Sequence, residues 1–408
     1  MVLLGGSAWA QTTSRVSVDS NGNQGNDVCD LPDCVTSADG RYTAFSSRAS
    51  NLVSGDTNGY CDVFVHDLQT GTTTIASVDS NDVQGNDDSW DPSISADGRY
   101  VVFSYPAELV PGYGFGVFLH DLQGGTTTIV SVSNGVVGYS YHESISGDGR
   151  YVAFESDADN LVPGDTNGLL DIFVHDLQTG TLTLVSTDST GVPGNDWSLE
   201  SSISGDGRYV AFASHASNLV PGDTNGCSDV FVHDLQTGTT TLVSVDPNGV
   251  QGDLLSEYPS ISGDGRYVAF TSRSDNLVRG DTNQEEDAFV HDLQTGAVTL
   301  VSVDSNGLQG DSQTFFSAIS GDGRRVAFGS RSDNLVAGDT NGVSDVFVHD
   351  RGPCSSPASW SNYGAGWPGT NGIPAFTASG NPVLCTTITI DLANSLGATT
   401  TAALFVGL

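Results

Sequence analysis

Short apolar runs separated by polar turns recur along most of the chain. A typical unit is Ser260–Asp311, SISGDGRYVAFTSRSDNLVRGDTNQEEDAFVHDLQTGAVTLVSVDSNGLQGD. Its apolar runs are four to eight residues long and rich in Val, Phe and Thr, which fits half-buried strands rather than helices. Asp-Gly and Leu-Gln-Thr-Gly stand between runs, where hairpins need residues that tolerate positive φ. Each unit therefore predicts four short strands: A (PSIS), B (RYVAFTS), C (DAFVHD) and D (AVTLVSVD). A long loop joins B to C, and another joins D to the next A.

The unit repeats. Its S-[AG]-D-G-R turn places aspartates at 39, 97, 148, 206, 264 and 322, at intervals of 58, 51, 58, 58 and 58. Six antiparallel four-stranded units in sequence predict an all-β fold, a six-bladed β-propeller. The last unit stops after Asp350 without a strand D, while TTSRVSVDSNGNQGND, beginning at Thr12, matches a strand D and the loop after it. The expectation is closure by the N-terminal strand, with Arg15–Asp19 pairing near Val346–Val348 so that no sheet edge is left bare.

Three regions follow. Residues 1–10 end in Ala8-Trp9-Ala10 and read as the remnant of a signal peptide. Residues 11–351 form the propeller. Residues 352–408 contain one charged residue, Asp391, and read as a β-rich segment, cut short, with TTITIDL as a strand.

The motif SGDGRYVAF followed by DVFVHDLQTGTTTLVS resembles the TolB-like propeller repeat, a relative of WD repeats. The resemblance covers roughly residues 12–350 and matches six units in order. It implies a six-bladed propeller in the periplasm or outside the cell that serves as a binding scaffold. The B–C loop here is longer than in TolB itself.

Composition narrows the partners. Lysine is absent and the formal net charge is −36. Such a surface repels nucleic acid and anionic membranes and attracts cations. No stretch has the length and apolarity of a membrane span. The expected partners are a protein or a glycan at the cell surface, and the expected location is secreted or periplasmic. Six cysteines fit an oxidising compartment. Cys29–Cys34 and Cys354–Cys385 are plausible pairs, with Cys61 bonded to Cys29 or Cys34 as the alternative.

Two sets of residues could carry chemistry. The first is the loop GDTNG and the Asp that opens strand C. It occurs at Asp56, Asn58 and Asp62; Asp165, Asn167 and Asp171; Asp223, Asn225 and Asp229; Asp281, Asn283 and Asp287; and Asp339, Asn341 and Asp345. The spacing resembles a shortened calcium loop, so up to five Ca²⁺ sites are expected, with backbone carbonyls or water completing the shell. Plain turn chemistry is the alternative. Blade 2 lacks the motif and carries Tyr105, Tyr113 and Phe115 instead.

The second set breaks the repeat. At the start of strand A the units read Asp33, Asp91, His142, Glu200, Tyr258 and Phe316. The position before reads Pro32, Trp90, Tyr141, Leu199, Glu257 and Phe315. Innermost strands line the channel, so Trp90, Asp91, Tyr141, His142, Glu200, Glu257, Tyr258 and Phe316 form the candidate ligand site at its mouth. Carboxylates beside aromatic faces suit a sugar, a cationic peptide or a metal. The six His-Asp pairs look like metal ligands, but six symmetric histidines cannot converge on one ion. Each Asp is expected to pair with the Arg of its own DGR turn. No G-x-S-x-G elbow is present, so catalysis is not expected. A polysaccharide-active or other hydrolytic site at the channel mouth is the alternative.

Overall fold

The computed structural model describes residues 14–27, 34–104, 108–133 and 135–352, together with strands 375–378, 388–393 and 399–404. It contains six consecutive antiparallel sheets, a six-bladed all-β propeller. Blade 1 is built of β1–β4: Cys34–Thr36, Tyr42–Ser47, Asp62–Asp67 and Thr72–Ile75. Blade 2 is β5–β8: Trp90–Ile94, Tyr100–Ser104, Val117–Asp121 and Thr126–Ile129. A short hairpin, β9–β10 (Val132–Ser133 and Val136–Val137), precedes blade 3.

Blade 3 is β11–β14: Ser140–Ile145, Tyr151–Ser156, Asp171–Asp176 and Thr181–Leu184. Blade 4 is β15–β18: Ser198–Ile203, Tyr209–Ser214, Asp229–Asp234 and Thr239–Leu242. Blade 5 is β19–β22: Ser256–Ile261, Tyr267–Ser272, Asp287–Asp292 and Ala297–Leu300. Blade 6 has three strands, β23–β25: Thr314–Ile319, Arg325–Ser330 and Asp345–Asp350. In the C-terminal segment, β26–β28 (Ala375–Ala378, Ile388–Ala393, Thr399–Leu404) form an antiparallel sheet that includes the expected TTITIDL strand.

The period-2 pattern explains the core. Successive residues of B and C point to opposite faces, and in blades 2–5 both faces are covered by neighbouring blades. Ala153, Ile172 and Val174 of blade 3 therefore share a cluster with Val210, Phe212 and Phe231 of blade 4. Within each blade the B and C phenylalanines stack, as Phe212 on Phe231 with centroids 5.8 Å apart. The DGR turn also locks blade to blade. Gly207 has φ +70°, and a Cβ there would lie 2.3 Å from the Tyr151 ring of the preceding blade. Glycine is required on both counts.

The expected closure does not form. Val346 and Val348 on β25 are 71 % and 62 % exposed. The described N-terminal residues lie against blade 1 instead. Val16 packs on the Phe45–Leu52–Phe64 cluster. Thr73 N–H donates to Ser20 Oγ (3.0 Å), and the Thr73 hydroxyl donates to the Val18 carbonyl. The blade 6 face that would meet blade 1 also departs from the repeat. Ile145, Ile203, Ile261 and Ile319 N–H groups donate to Ser93, Ser144, Ser202 and Ser260 of the preceding blade, but Ala318 stands at that serine's position. Arg325 replaces the tyrosine that covers the next blade's glycine turn.

Cys61 is disulfide-bonded, whereas Cys34 and Cys227 are free. The Cys29–Cys34 pairing and the Cys34–Cys61 alternative are therefore both wrong. Cys354 and Cys385 lie outside the described residues, as do residues 1–10 and Tyr105. Phe115 packs edge-on against Tyr139 at 5.2 Å. Among the described residues no helix is long and apolar enough to cross a membrane.

All six expected Arg–Asp pairs form, from Arg41–Asp67 to Arg324–Asp350, with N–O distances of 2.6–3.0 Å. Each is bidentate, and in blades 1–5 the guanidinium also lies 4.7 Å from the following tyrosine ring. The guanidinium holds Asp67 and Asp176 well below the usual carboxylate range. Burial sets their worth: Arg266 and Asp292 side chains are 13 % and 10 % exposed, against 40 % and 44 % for Arg324 and Asp350. A double-mutant cycle on Arg266–Asp292 should give a coupling of about 1–2 kcal/mol. The cycle on Arg324–Asp350 should give a smaller one; equal couplings would contradict this assignment.

Candidate functional site

Strand A of each of blades 2 to 5 carries the same irregularity. Register shifts between Trp90 and Ser93, Tyr141 and Ser144, Leu199 and Ser202, and Glu257 and Ser260. The bulged residue in each is left-handed: Asp91 (φ 51°), His142 (48°), Glu200 (59°) and Tyr258 (53°). None is glycine, so each holds a conformation that costs an L-residue about 1 kcal/mol or more. A bulge re-aims the side chain and leaves one residue out of the ladder. The four residues that vary most between repeats therefore sit in one special conformation on successive blades.

Blade 6 differs. Its shift spans only Phe315 to Ser317, and Phe316 lacks the left-handed φ. The Phe316 ring, 50 % exposed, lies over Gly329, whose added Cβ would come within 2.9 Å of it. Asp33 and Pro32 of blade 1 lie outside the described residues.

Carboxylates tie the bulges together. Glu155 is buried, with a side chain 2 % exposed, and meets His142 Nδ1 at 2.7 Å. The same Glu155 Oε1 accepts the Glu200 backbone N–H at 2.6 Å, crossing from blade 3 to blade 4. Glu200 Oε2 in turn accepts the Tyr258 N–H at 2.6 Å, crossing to blade 5. In blade 5, Glu286 accepts from the Thr271 hydroxyl (2.8 Å) and Gln313 Nε2 (3.1 Å), with Arg273 Nε 3.5 Å away. Glu143, beside His142, is buried, and neither carboxylate oxygen has a hydrogen-bond partner among the described residues.

The electrostatics follow. The Glu155 hydrogen bond is the main cause that lifts His142 to about 9, so the imidazole is protonated at neutral pH. Burial pushes Glu200 up to about 7, with Glu257 and Glu155 adding repulsion. Burial, then Asp91, pushes Glu143 well above the usual range. Glu200, beside the protonated His142, is thus placed to exchange a proton near neutrality.

Sequence reading brought Asp91, His142, Glu200, Glu257 and Tyr258 to this strand start, and missed Glu143, Glu155 and Glu286. Glu155 had a signal available. Its position at the end of strand B reads Ser46, Ser104, Glu155, Ala213, Thr271 and Gly329, a second place where the repeat breaks.

The His-Asp histidines take structural contacts. His66, His120 and His233 place Nδ1 2.8–2.9 Å from Thr73, Thr127 and Thr240 hydroxyls. His175 and His291 place theirs 2.8 and 2.7 Å from the Val130 and Val243 carbonyls of the preceding blade.

In the GDTN loops of blades 1, 4 and 5 the two aspartates meet at a glutamine amide. Gln251 Nε2 donates to Asp223 Oδ1 (2.8 Å) and Asp229 Oδ2 (2.7 Å) in blade 4. Gln309 does the same to Asp281 (2.6 Å) and Asp287 (2.8 Å) in blade 5, and Gln84 to Asp56 (3.0 Å) and Asp62 (3.4 Å) in blade 1. Asn58, Asn225 and Asn283 donate to the Gly85, Gly252 and Gly310 carbonyls. In blade 6, Asn341 Nδ2 donates to Asp345 Oδ2 at 2.7 Å and is exposed, while Asp339 is half-buried. No group of three or more His, Cys, Asp or Glu side chains among the described residues is placed to hold a metal.

No protein-family model matches the sequence, and no curated relative does. Solved structures do. TolB from Acinetobacter baumannii is similar at a TM-score of 0.43 and 17 % identity over 71 % of this chain; the chain spans 57 % of that protein's length. A putative TolB from Agrobacterium tumefaciens gives 0.42 and 16 % over 78 % of this chain and 89 % of that one. The β-propeller domain of the Trilobed protease from Pyrococcus furiosus, described as having an open velcro topology, gives 0.48 and 9 % over 92 % and 95 %. Its six repeats and its blades of antiparallel strands make the chain a six-bladed β-propeller.

Proposed function

We propose that this chain is a noncatalytic propeller scaffold that works outside the cytoplasm and seats a cationic group of a protein or glycan partner among Asp91, Glu200 and Glu257. The observation that carries this reading is the row of left-handed bulges at Asp91, His142, Glu200 and Tyr258, the last three linked across blades 3 to 5 by Glu155 and Glu200. Backbone strain persists only where the surroundings over-determine it, and it gathers at sites of use. Carboxylates outnumber the fixed cation His142, so the site favours positive charge. The Cys61 disulfide and the acidic, lysine-free surface support an oxidising, extracytoplasmic setting.

A hydrolytic reading has one observation in its favour: Glu200, raised to about 7, lies in the range of a general acid. Turnover separates the two. Incubation with a panel of polysaccharides and peptides should release no product. Turnover that Glu200→Gln abolishes would establish the hydrolase and sink the scaffold.

A further inference from the structure

The GDTNG loop of blade 3 lacks one partner that its sisters in blades 1, 4 and 5 have. At the position of Gln84, Gln251 and Gln309, blade 3 carries Pro193. The backbone there is the same: Thr187 bridges Pro193 as Val78, Val245 and Val303 bridge the glutamines. No glutamine amide therefore bridges the two carboxylates. Asp165 is 4 % exposed, and both its oxygens lack a partner among the described residues. Asp171 is fully buried; its Oδ1 accepts from Ser186 Oγ and its Oδ2 from Asn167 Nδ2 at 2.8 Å. A buried carboxylate with neither oxygen satisfied is costly, and it is relieved by a proton or a cation.

The sister blades show where a cation would sit. In blades 4 and 5 one Nε2 atom lies 2.6–2.8 Å from an oxygen of each aspartate. That is close to the contact distance of a hard cation with carboxylate oxygens, about 2.3–2.6 Å for Ca²⁺.

We propose that the blade 3 loop binds one hard divalent cation, Ca²⁺, through Asp165 and Asp171, and that a glutamine amide fills the corresponding position in blades 1, 4 and 5. Up to three carboxylate oxygens enter from Asp165 and Asp171, and water from the exposed Gly164–Gly168 side completes the shell. The proposal is independent of the channel-mouth function. It replaces five equivalent sites with one. The blade 6 loop, open to solvent at Asn341, binds at most weakly.

Calorimetric titration of Ca²⁺ into metal-free full-length protein should give one site and a raised melting temperature. Pro193→Gln supplies the missing amide and should abolish both. Asp165→Asn should abolish binding while keeping the fold, a check should Pro193→Gln fold poorly. Gln251→Pro should add a second site in blade 4. An absence of Ca²⁺ heat in the natural chain, wild-type binding in both Pro193→Gln and Asp165→Asn, or several equivalent sites would each overturn the proposal.

Discussion

Phe231→Ala should cost about 3–5 kcal/mol of stability, the largest loss expected from any single substitution considered. Phe231 is fully buried, stacks on Phe212 and belongs to the cluster that joins blades 3 and 4. Its removal leaves a cavity between two rigid sheets that cannot collapse onto it. Phe347 holds the same strand position in blade 6 but is only half-buried, beneath an uncovered edge. Phe347→Ala should cost markedly less. Urea midpoints for the two variants check this, and equal losses would mean that the outer edge of β25 is covered in solution.

The second large effect is electrostatic. Glu155→Gln keeps a side-chain oxygen for the Glu200 N–H but removes the charge beside His142. The His142 pKa should fall from about 9 to near or below its ordinary 6.5, read by NMR titration of the imidazole. The sign of the stability effect follows. A histidine raised in the folded state stabilises fully below 6.5, and that contribution is lost as pH rises through about 9. The variant should therefore lose stability relative to the natural protein at pH 6 and converge with it above 9. An unchanged His142 titration would place the charge that holds it elsewhere.

The fold was largely legible because its strand pattern and turn chemistry repeat with the same period. Six S-[AG]-D-G-R turns set the B strands, and the Arg–Asp pairs followed from antiparallel register alone. Closure was not legible in the same way. The match of Arg15–Asp19 to a strand D is real, yet edge pairing also depends on the blade 6 face, where Ala318 and Arg325 replace the residues that dock other blades. At the strand A bulges, divergence within the repeat located Asp91, His142 and Glu200. It could not supply their left-handed bulge, nor Glu155 reaching between blades, because both depend on how neighbouring sheets pack. The GDTN loops show the opposite limit. Local spacing marked five alike, while the amide that bridges their aspartates in blades 1, 4 and 5 comes from a glutamine 22 to 28 positions away.

The most direct test of the cation site proposed at Asp91, Glu200 and Glu257 is the pH dependence of cation binding. A short arginine-bearing peptide should be titrated at pH 5.5 and at pH 8 into the natural protein and into Glu200→Gln. Glu200 ionises near 7 while His142 stays protonated across this range, so affinity in the natural protein should rise roughly tenfold between the two pH values. In Glu200→Gln most of that rise should vanish. No binding at either pH, or the same tenfold rise in the variant, would contradict a cation site built on Glu200.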